Sequence, residues 1–461
     1  MSSANCDSIA ELSLEPENGK VLDDLGKAPW PAYSEYKNSG VDWLGDIPEQ
    51  WKLKRLKFAV NLVNEKVESV DTELPYFGLE NIESWTGRKI QTESQPEGVA
   101  NRFDIGDVLF GKLRPYLAKA YHAQAEGGLC TGEALVLRQK DLVPRYLLYF
   151  LLSKDFINIV DSSTYGAKMP RANWDFIGNL PTLLPEVGEQ TAIASFLDRE
   201  TARIDALIAK KQRLIELLQE KRTALISQAV TKGLGPGVPM KDSGGEWLGE
   251  IPAHWEVKRI KNLLKAKAGA IKTGPFGSQL LSSEMYSGDV KVYNQRTVID
   301  NDFKIGENYI SIEKFEELKG FEIFPGDLMV TTRGTIGCCA IVPDEAEAGI
   351  LHPCLMRLQI NQNQAINEYV ALLIQESRLV RDQLKFMSNA TTIEVIYSES
   401  LKSVFLPMPP VGEQRKILEL LEINLRHIEG LCSQTSKSLQ CLQEYRTALI
   451  SSAVTGKIDV R

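Results

Sequence analysis

Two groups of side chains in this sequence have the types and spacing for recognition chemistry. The first lies in "FGKLRPYLAK" (110–119), where basic and aromatic residues alternate along a strand and turn, so that Lys112, Arg114, Tyr116 and Lys119 can face one groove. Arginine suits guanine edges or phosphate oxygens, and lysine suits phosphates. "YGAKMPRANW" (165–174), a Gly/Pro loop, adds Lys168 and Arg171 beside Asn173. The second group is spread over the later part of the chain. "IKTGPFGSQL" (271–280) is a small-residue loop offering backbone N–H groups with Lys272, Thr273, Ser278 and Gln279. "YNQRT" (293–297) carries Asn294, Gln295 and Arg296, and such amides can read adenine bidentately. "TTRGT" (331–335) offers Arg333, and "SNATT" (388–392) offers Thr391. Ordinary turns and charged strand edges use the same residues, so a solvated surface is the competing reading for each.

Catalytic patterns are absent from the sequence. It has no GxxxxGK[ST] loop, no GxSxG elbow and no [DN]PP[YF] methyltransferase motif. "GLGPG" (233–237) follows no strand and reads as a linker, and "PDEAEA" (343–348) lacks the lysine of a nuclease carboxylate motif and reads as an acidic loop. The four histidines have no ligand spacing, and His352 with Cys354 falls short of the four ligands of structural zinc. The seven cysteines are scattered without a CxxC pair, which fits a reduced, cytoplasmic setting. No apolar stretch approaches the roughly 20 residues of a membrane helix, and the start of the chain does not read as a signal peptide.

The net charge of −8 is unevenly placed. Residues 1–50 carry ten acidic and three basic side chains, or −7, leaving −1 for the rest. Residues 1–36 read as an acidic, flexible leader, and the near-neutral remainder permits local basic faces.

The elements that must position these loops are written twice. "LQEKRTALISQAVT" (218–231) returns as "LQEYRTALISSAVT" (442–455), with twelve of fourteen positions identical at an offset of 224. "DWLGDIPEQWKLKRLK" (42–57) returns as "EWLGEIPAHWEVKRIK" (246–261) at an offset of 204, and "LPEVGEQ" (184–190) as "MPPVGEQ" (408–414) at 224. The order is phrase, variable body, PxVGEQ, helix, then the same again. The second body is 20 residues longer than the first and shows little sequence similarity to it. A period above 200 residues excludes a solenoid and suggests an internal pseudo-dimer.

The constant ends read as helices. Glu189–Lys232 contains neither Gly nor Pro over 44 residues, and Ile193, Leu197, Ile204, Leu207/Ile208, Leu214/Ile215, Leu218, Leu225 and Ala229 follow the 3–4 spacing of a coiled-coil seam. Gly188 marks its start and Gly233 its stop. The expected length is about 66 Å. A second helix is expected from about Glu413 to Thr455, with a weak or bent point at Gly430. A helix with one apolar stripe needs a partner, and the other copy is the nearest, parallel or antiparallel. The bodies read as mixed α and β. Strands are expected in 75–82, 106–123, 134–138, 288–295, 326–342 and 353–360, with helices over 144–153 and 364–377.

The doubled WLGxIPxxW phrase, the doubled PxVGEQ entry, the doubled RTALISxAVT exit and GD-[VL]-[LM] in each body (Gly106–Leu109 and Gly326–Met329) together resemble the specificity subunits of type I restriction–modification systems, from about residue 40 onward. The resemblance implies an α+β fold. Two mixed α/β target recognition domains are separated by two long antiparallel coiled-coil helices in an internal pseudo-two-fold repeat. The implied boundaries are the acidic tail (1–36), recognition domain 1 (37–185), helix 1 with its linker (186–240), recognition domain 2 (241–408) and helix 2 (409–461). Each recognition domain would read one half of a split, asymmetric duplex DNA target. The partners would be two modification subunits and two restriction subunits, with no membrane. S-adenosylmethionine, ATP and Mg would sit on those partners, leaving this chain without cofactor, metal or catalytic activity. Arg222, Leu225, Ile226 and Val230, with Arg446, Leu449, Ile450 and Val454, are expected to dock the modification subunits, the alternative being that they form helix core. A coiled-coil adaptor that holds two protein partners and touches no DNA is the competing function. It predicts binding insensitive to salt, whereas phosphate contacts weaken steeply with salt.

Overall fold

A computed structural model of the chain describes residues 30–68, 74–92, 98–166, 168–235, 237–245, 248–276, 278–286, 288–388 and 395–461. The chain forms two compact units, Met1–Gln212 with Lys437–Arg461, and Arg213–Ser436.

In the first unit, β1 (Tyr36–Asn38) pairs with β2 (Asp46–Pro48), and β3 (Lys52–Arg55) with β12 (Pro181–Leu184). A four-stranded antiparallel sheet has the order β4 (Val60–Val63), β11 (Ala134–Gln139), β8 (Val108–Gly111), β9 (Ala120–His122). A second sheet has the order β5 (Lys66–Glu68), β7 (Val99–Phe103), β10 (Gly128–Cys130), β6 (Tyr76–Phe77), in which β10 and β6 run parallel. Helix α1 (Pro144–Leu151), with Pro at its first turn, buries Tyr146–Leu151 against the first sheet.

The second unit repeats the two paired-strand sets and the main sheet despite the sequence difference, but its second sheet is built differently. β13 (Met240–Asp242) pairs with β14 (Glu250–Pro252), and β15 (Glu256–Arg259) with β23 (Phe405–Met408). Its main sheet has the order β16 (Ile271–Thr273), β22 (Leu355–Leu358), β19 (Leu328–Thr331), β20 (Cys339–Ile341). Its second sheet, β18 (Tyr309–Ile310), β17 (Val290–Tyr293), β21 (Gly349–Leu351), also holds one parallel pair. Several expected strands are shorter than their apolar runs. In the 75–82 stretch the strand is followed by a 3₁₀ turn at Leu79–Asn81, and the 106–123 stretch is broken by a 3₁₀ turn at Pro115–Leu117. In 288–295, Asn294 already caps a short helix over Gln295–Ile299.

The GD pairs have one structural reason. Gly106 (φ +93°) and Gly326 (φ +79°) take the left-handed conformation that glycine tolerates, and the next aspartate accepts a backbone N–H three residues back, Asp104 N to Asp107 Oδ2 at 2.8 Å and Phe324 N to Asp327 Oδ2 at 3.0 Å. Both aspartates are buried. Arg138 pairs with Asp107 at 2.7 Å, whereas Gln359 donates to Asp327 at 2.8 Å. Burial pushes the Asp327 carboxyl above the usual carboxylate range, opposed by the bonds from Gln359 and Phe324 N and by Arg357 at 3.8 Å.

The long helices are continuous, α2 over Val187–Lys232 and α3 over Val411–Val454. Gly188 lies inside the first turn rather than before it, and Gly430 does not break α3. A single glycine costs only about 1 kcal/mol in a helix. Each unit takes the start of one helix and the end of the other. In the first, Ile193, Leu197 and Ile204 share a core with Leu449, Ile450, Ala453 and Val454. Tyr146 Oη reaches both Leu183 O and Val454 O, while Asp205 meets Arg446, so these two segments run antiparallel. In the second, Ile226, Ala229 and Val230 share a core with Ile417 and Leu421. The expected seam is uneven, because Leu207 and Leu214 are more than 40% exposed.

The repeated phrases meet at these helix ends. Helix α2 ends at Gly233 (φ +74°), against Trp255 and Pro252; α3 ends before Gly456 (φ +73°), where a side chain would strike Pro48 and Trp51. The glutamine of PxVGEQ clamps each helix start. Gln190 Oε1 accepts Val143 N at 2.7 Å and its Nε2 donates to Asp141 O and Pro185 O; Gln414 does the same with Ile366 N, Gln364 O and Pro409 O. Residues 30–36, expected as the end of a flexible leader, are mostly exposed but anchored: Trp30 meets the Phe196 ring edge-on, Tyr33 is buried, and Pro31 O accepts Asp459 N at 2.7 Å.

Two outcomes are expected. Gln190→Ala or Gln414→Ala strands one buried and two part-buried backbone groups and should lower the stability of its unit by about 1–3 kcal/mol in denaturant melts, with Gln→Glu no better because a carboxylate cannot donate to two carbonyls. Burial, aided by Arg145, depresses the imidazole of His122, whose Nδ1 is buried without a partner; Asp198 opposes the shift. The folded protein therefore resists a proton that the unfolded chain accepts below about pH 6.5, so stability should fall as pH drops through that value. His122→Gln should flatten that part of the pH profile.

Candidate nucleic-acid interface

In the first unit two loops are joined by backbone. Leu113 bridges to Arg171, and Tyr165 bridges to Arg171 as well. Arg114 N donates to Pro170 O at 2.8 Å, and Ala172 N to Lys112 O at 2.9 Å. The two stretches that sequence nominated, 112–119 and 165–174, therefore form one surface. Arg114, Tyr116, Tyr165, Lys168 and Met169 are exposed on it and Lys112 is half-buried. Among the described residues no carboxylate pairs with Lys112, Arg114 or Lys168. Such cations beside exposed aromatic rings can meet phosphates and base edges.

Two nominated cations do not share that role. Lys119 turns inward, where its Nζ donates to Leu79 O at 2.6 Å and burial lowers its pKa. Arg171 is paired through Nε with Glu133 at 3.1 Å, and so fastens its loop to the turn before β11. Glu133 was not foreseen, since 38 residues separate the pair and no local pattern marks it.

In the second unit the turn His352–Leu355 gathers the corresponding loops. Gly274 N donates to Leu355 O at 2.9 Å, and Thr332 N to Cys354 O at 2.9 Å. Arg333 bridges to Val395 and is exposed without an ion pair among the described residues. The amides expected to read adenine have other partners. Asn294 Oδ1 accepts Arg296 N and Thr297 N as a helix cap, and Gln295 Nε2 donates to Arg333 O at 2.6 Å and Thr335 O at 3.1 Å. Arg296 pairs with Asp300 at 3.0 Å on a side chain that is otherwise exposed. Lys272 lies 4.8 Å over the Phe321 ring, Thr273 is half-buried, and Gln279 Oε1 accepts Phe276 N. Ser278 is exposed, and Thr391 lies outside the described residues. The exposed rings of Phe276 and Tyr397 were not singled out from sequence.

The residues expected to dock a partner are mostly enclosed by their own unit. Ile226, Val230, Leu449, Ile450 and Val454 are buried in the two cores, and Leu225 packs against the second. Arg446 is buried against Asp205 at 2.9 Å and Trp85 O, and Arg222 holds Glu376 bidentately at 2.6 and 2.9 Å. Ile226, Val230, Arg446, Leu449, Ile450 and Val454 are thus helix core in their own units, while Arg222 and Leu225 are half-buried. Among the described residues no cluster of three His, Cys, Asp or Glu could hold a metal, and no helix is long and apolar enough to cross a membrane.

If Glu133 fastens the loop that carries Arg171, Glu133→Ala should speed amide hydrogen exchange at Tyr165 and Arg171 while leaving β8 and β11 protected. Equal protection in the variant would remove that role.

Comparison with known proteins fits this layout. Residues 252–431 match the family described as type I restriction modification DNA specificity domain. The chain is 23% identical over 440 residues to the type I restriction enzyme MjaVIII specificity subunit of Methanocaldococcus jannaschii, covering 90% of this chain and 94% of that one. It is 21% identical over 453 residues to the EcoKI specificity subunit of Escherichia coli, covering 90% and 91%. Among solved structures, a chain from work on complex assembly and conformational transition of a type I R-M system superposes with a TM-score of 0.68 at 18% identity, covering 88% of this chain and 98% of that one. The HsdS subunit from Thermoanaerobacter tengcongensis superposes with a TM-score of 0.52 at 17% identity, covering 89% and 98%. The chain is thus similar over most of its length to specificity subunits of type I restriction enzymes, and residues 252–431 carry the match to that family's DNA specificity domain.

Proposed function

We propose that each unit of this chain reads one half of a split, asymmetric duplex DNA target, and that the paired long helices set the gap between the halves. The observation that carries this reading is the repeated sheet with an unlike loop in the same place. Leu113–Arg171 in the first unit and Arg333–Val395 in the second are equivalent bridges; exposed Arg114 follows the first and exposed Arg333 lies in the second, in different surroundings. A pseudo-repeat suits the local dyad of duplex DNA, and unlike loops suit unlike half-sites. Helix α2 supplies core residues to each unit. Helix α2, 46 residues long, extends about 69 Å and spans at most about 20 base pairs.

The chain itself carries out no chemistry in this reading. Two modification subunits hold S-adenosylmethionine and methylate adenine, and two restriction subunits use ATP and Mg. The partners dock on exposed residues of the constant segments, such as Glu220 and Ala224 with their repeats Glu444 and Ala448.

Methylation mapping tests the reading in cells that carry this chain with its methyltransferase, beside a deletion of this chain alone. The expected result is a split motif of two unlike halves, with methyladenine in each, that disappears on deletion. An unchanged pattern would move the adaptor reading to first place.

A further inference from the structure

We propose that Arg114 is a base-reading residue for the half-site recognised by the first unit, an assignment that rests on the DNA-reading function above. The equivalent loops of the two units both turn through the left-handed region twice. The second unit uses glycine at both places, Gly334 (φ +65°) and Gly337 (φ +78°). The first unit uses Arg114 (φ +50°) and Ala118 (φ +46°). The equivalence follows from the bridges, since Leu113 faces Arg171 where Arg333 faces Val395. An arginine held left-handed is disfavoured relative to glycine, because its Cβ crowds the following carbonyl.

The side chain offers no compensation inside the fold. Arg114 is exposed and, among the described residues, has no carboxylate within ion-pair distance and no side-chain hydrogen bond. Ala118 differs, because its methyl group is fully buried and its carbonyl accepts Trp85 N at 3.1 Å. At position 114, therefore, what distinguishes arginine from the glycine of the other unit is its guanidinium, aimed outward.

Rigid placement separates a base contact from a phosphate contact. The backbone of Arg114 is pinned on both sides, with its N–H on Pro170 O at 2.8 Å and its carbonyl accepting Leu117 N at 3.0 Å. Lys112 and Lys168 stand on the same surface and can meet the phosphates from relaxed backbone. A phosphate tolerates a long flexible cation, whereas a bidentate guanidinium fork on a base edge needs a fixed origin and direction. The strained and pinned position is the one that carries the fork.

The test compares Arg114→Gly, Arg114→Lys and Ala118→Gly with the natural chain, each in the complete methylating complex. Readouts are single-base methylation maps and the thermal midpoint of the purified chain. Arg114→Gly should leave the midpoint unchanged or raise it by about 2 °C. It should also lower discrimination at one base position of one half-site by about 10- to 100-fold. Arg114→Lys keeps the charge without the fork, so it should relax the same position. Ala118→Gly removes the second left-handed side chain and should leave the motif as it is. A natural motif under Arg114→Gly would overturn the assignment, and a natural motif under Arg114→Lys would replace it with a phosphate contact. If the natural chain confers no motif at all, the DNA-reading function falls with it. If it confers one that Arg114→Gly shares, only the assignment of Arg114 falls.

Discussion

A long helix with one apolar stripe cannot be stable alone, and the rest of this structure follows from how that stripe is covered. The start of α2 is covered by the end of α3 in one unit, and the end of α2 meets the start of α3 in the other. Neither body can close its core with its own helix alone. The same requirement explains the doubled sequence phrases. Each WLGxIPxxW segment supplies a tryptophan for a helix end, each PxVGEQ segment supplies a buried glutamine for a helix start, and each RTALIS segment supplies the apolar residues between. These are constant because they solve one packing problem twice.

The loops that face outward are free of that problem, so they differ. Even so, the fold reaches into them. Gln295, an exposed-loop amide by sequence, fastens two carbonyls of the loop carrying Arg333, and Glu133 fastens Arg171. The two units achieve the same loop path by different means. One uses glycine at its left-handed turns and a side-chain staple, while the other accepts Arg114 and Ala118 in that conformation and holds them by backbone bonds.

What could be read from sequence follows the same division. The long helices were legible because 3–4 periodicity without glycine or proline is a local signal, and the repeat was legible because packing fixes its residues. The joining of 112–119 with 165–174 was legible only as two similar loops, since their union is a bridge between residues 58 apart in sequence, Leu113 and Arg171. The fate of individual polar groups was not legible. Asn294 and Gln295 have the chemistry for adenine, but a cap and a staple claim them first. Lys119 looked like its neighbours until the strand pairing of β8 and β9 turned it toward Leu79. The apolar RTALIS residues looked available because their covering partners lie more than 150 residues away, as Arg222 and Glu376 show.

The closure of the first unit by residues from the far end of the chain has a consequence for synthesis. The second unit is one uninterrupted stretch, Arg213–Ser436, whereas the first needs Lys437–Arg461. On the ribosome, the body made first waits for Leu449, Ile450, Ala453 and Val454 before its core is complete, and for Asp459 before the segment at Pro31 is held. The body made second can close while the last helix is still emerging. The core of the body made first is thus completed only by residues made last, and until they arrive that body keeps part of its apolar interior open to water.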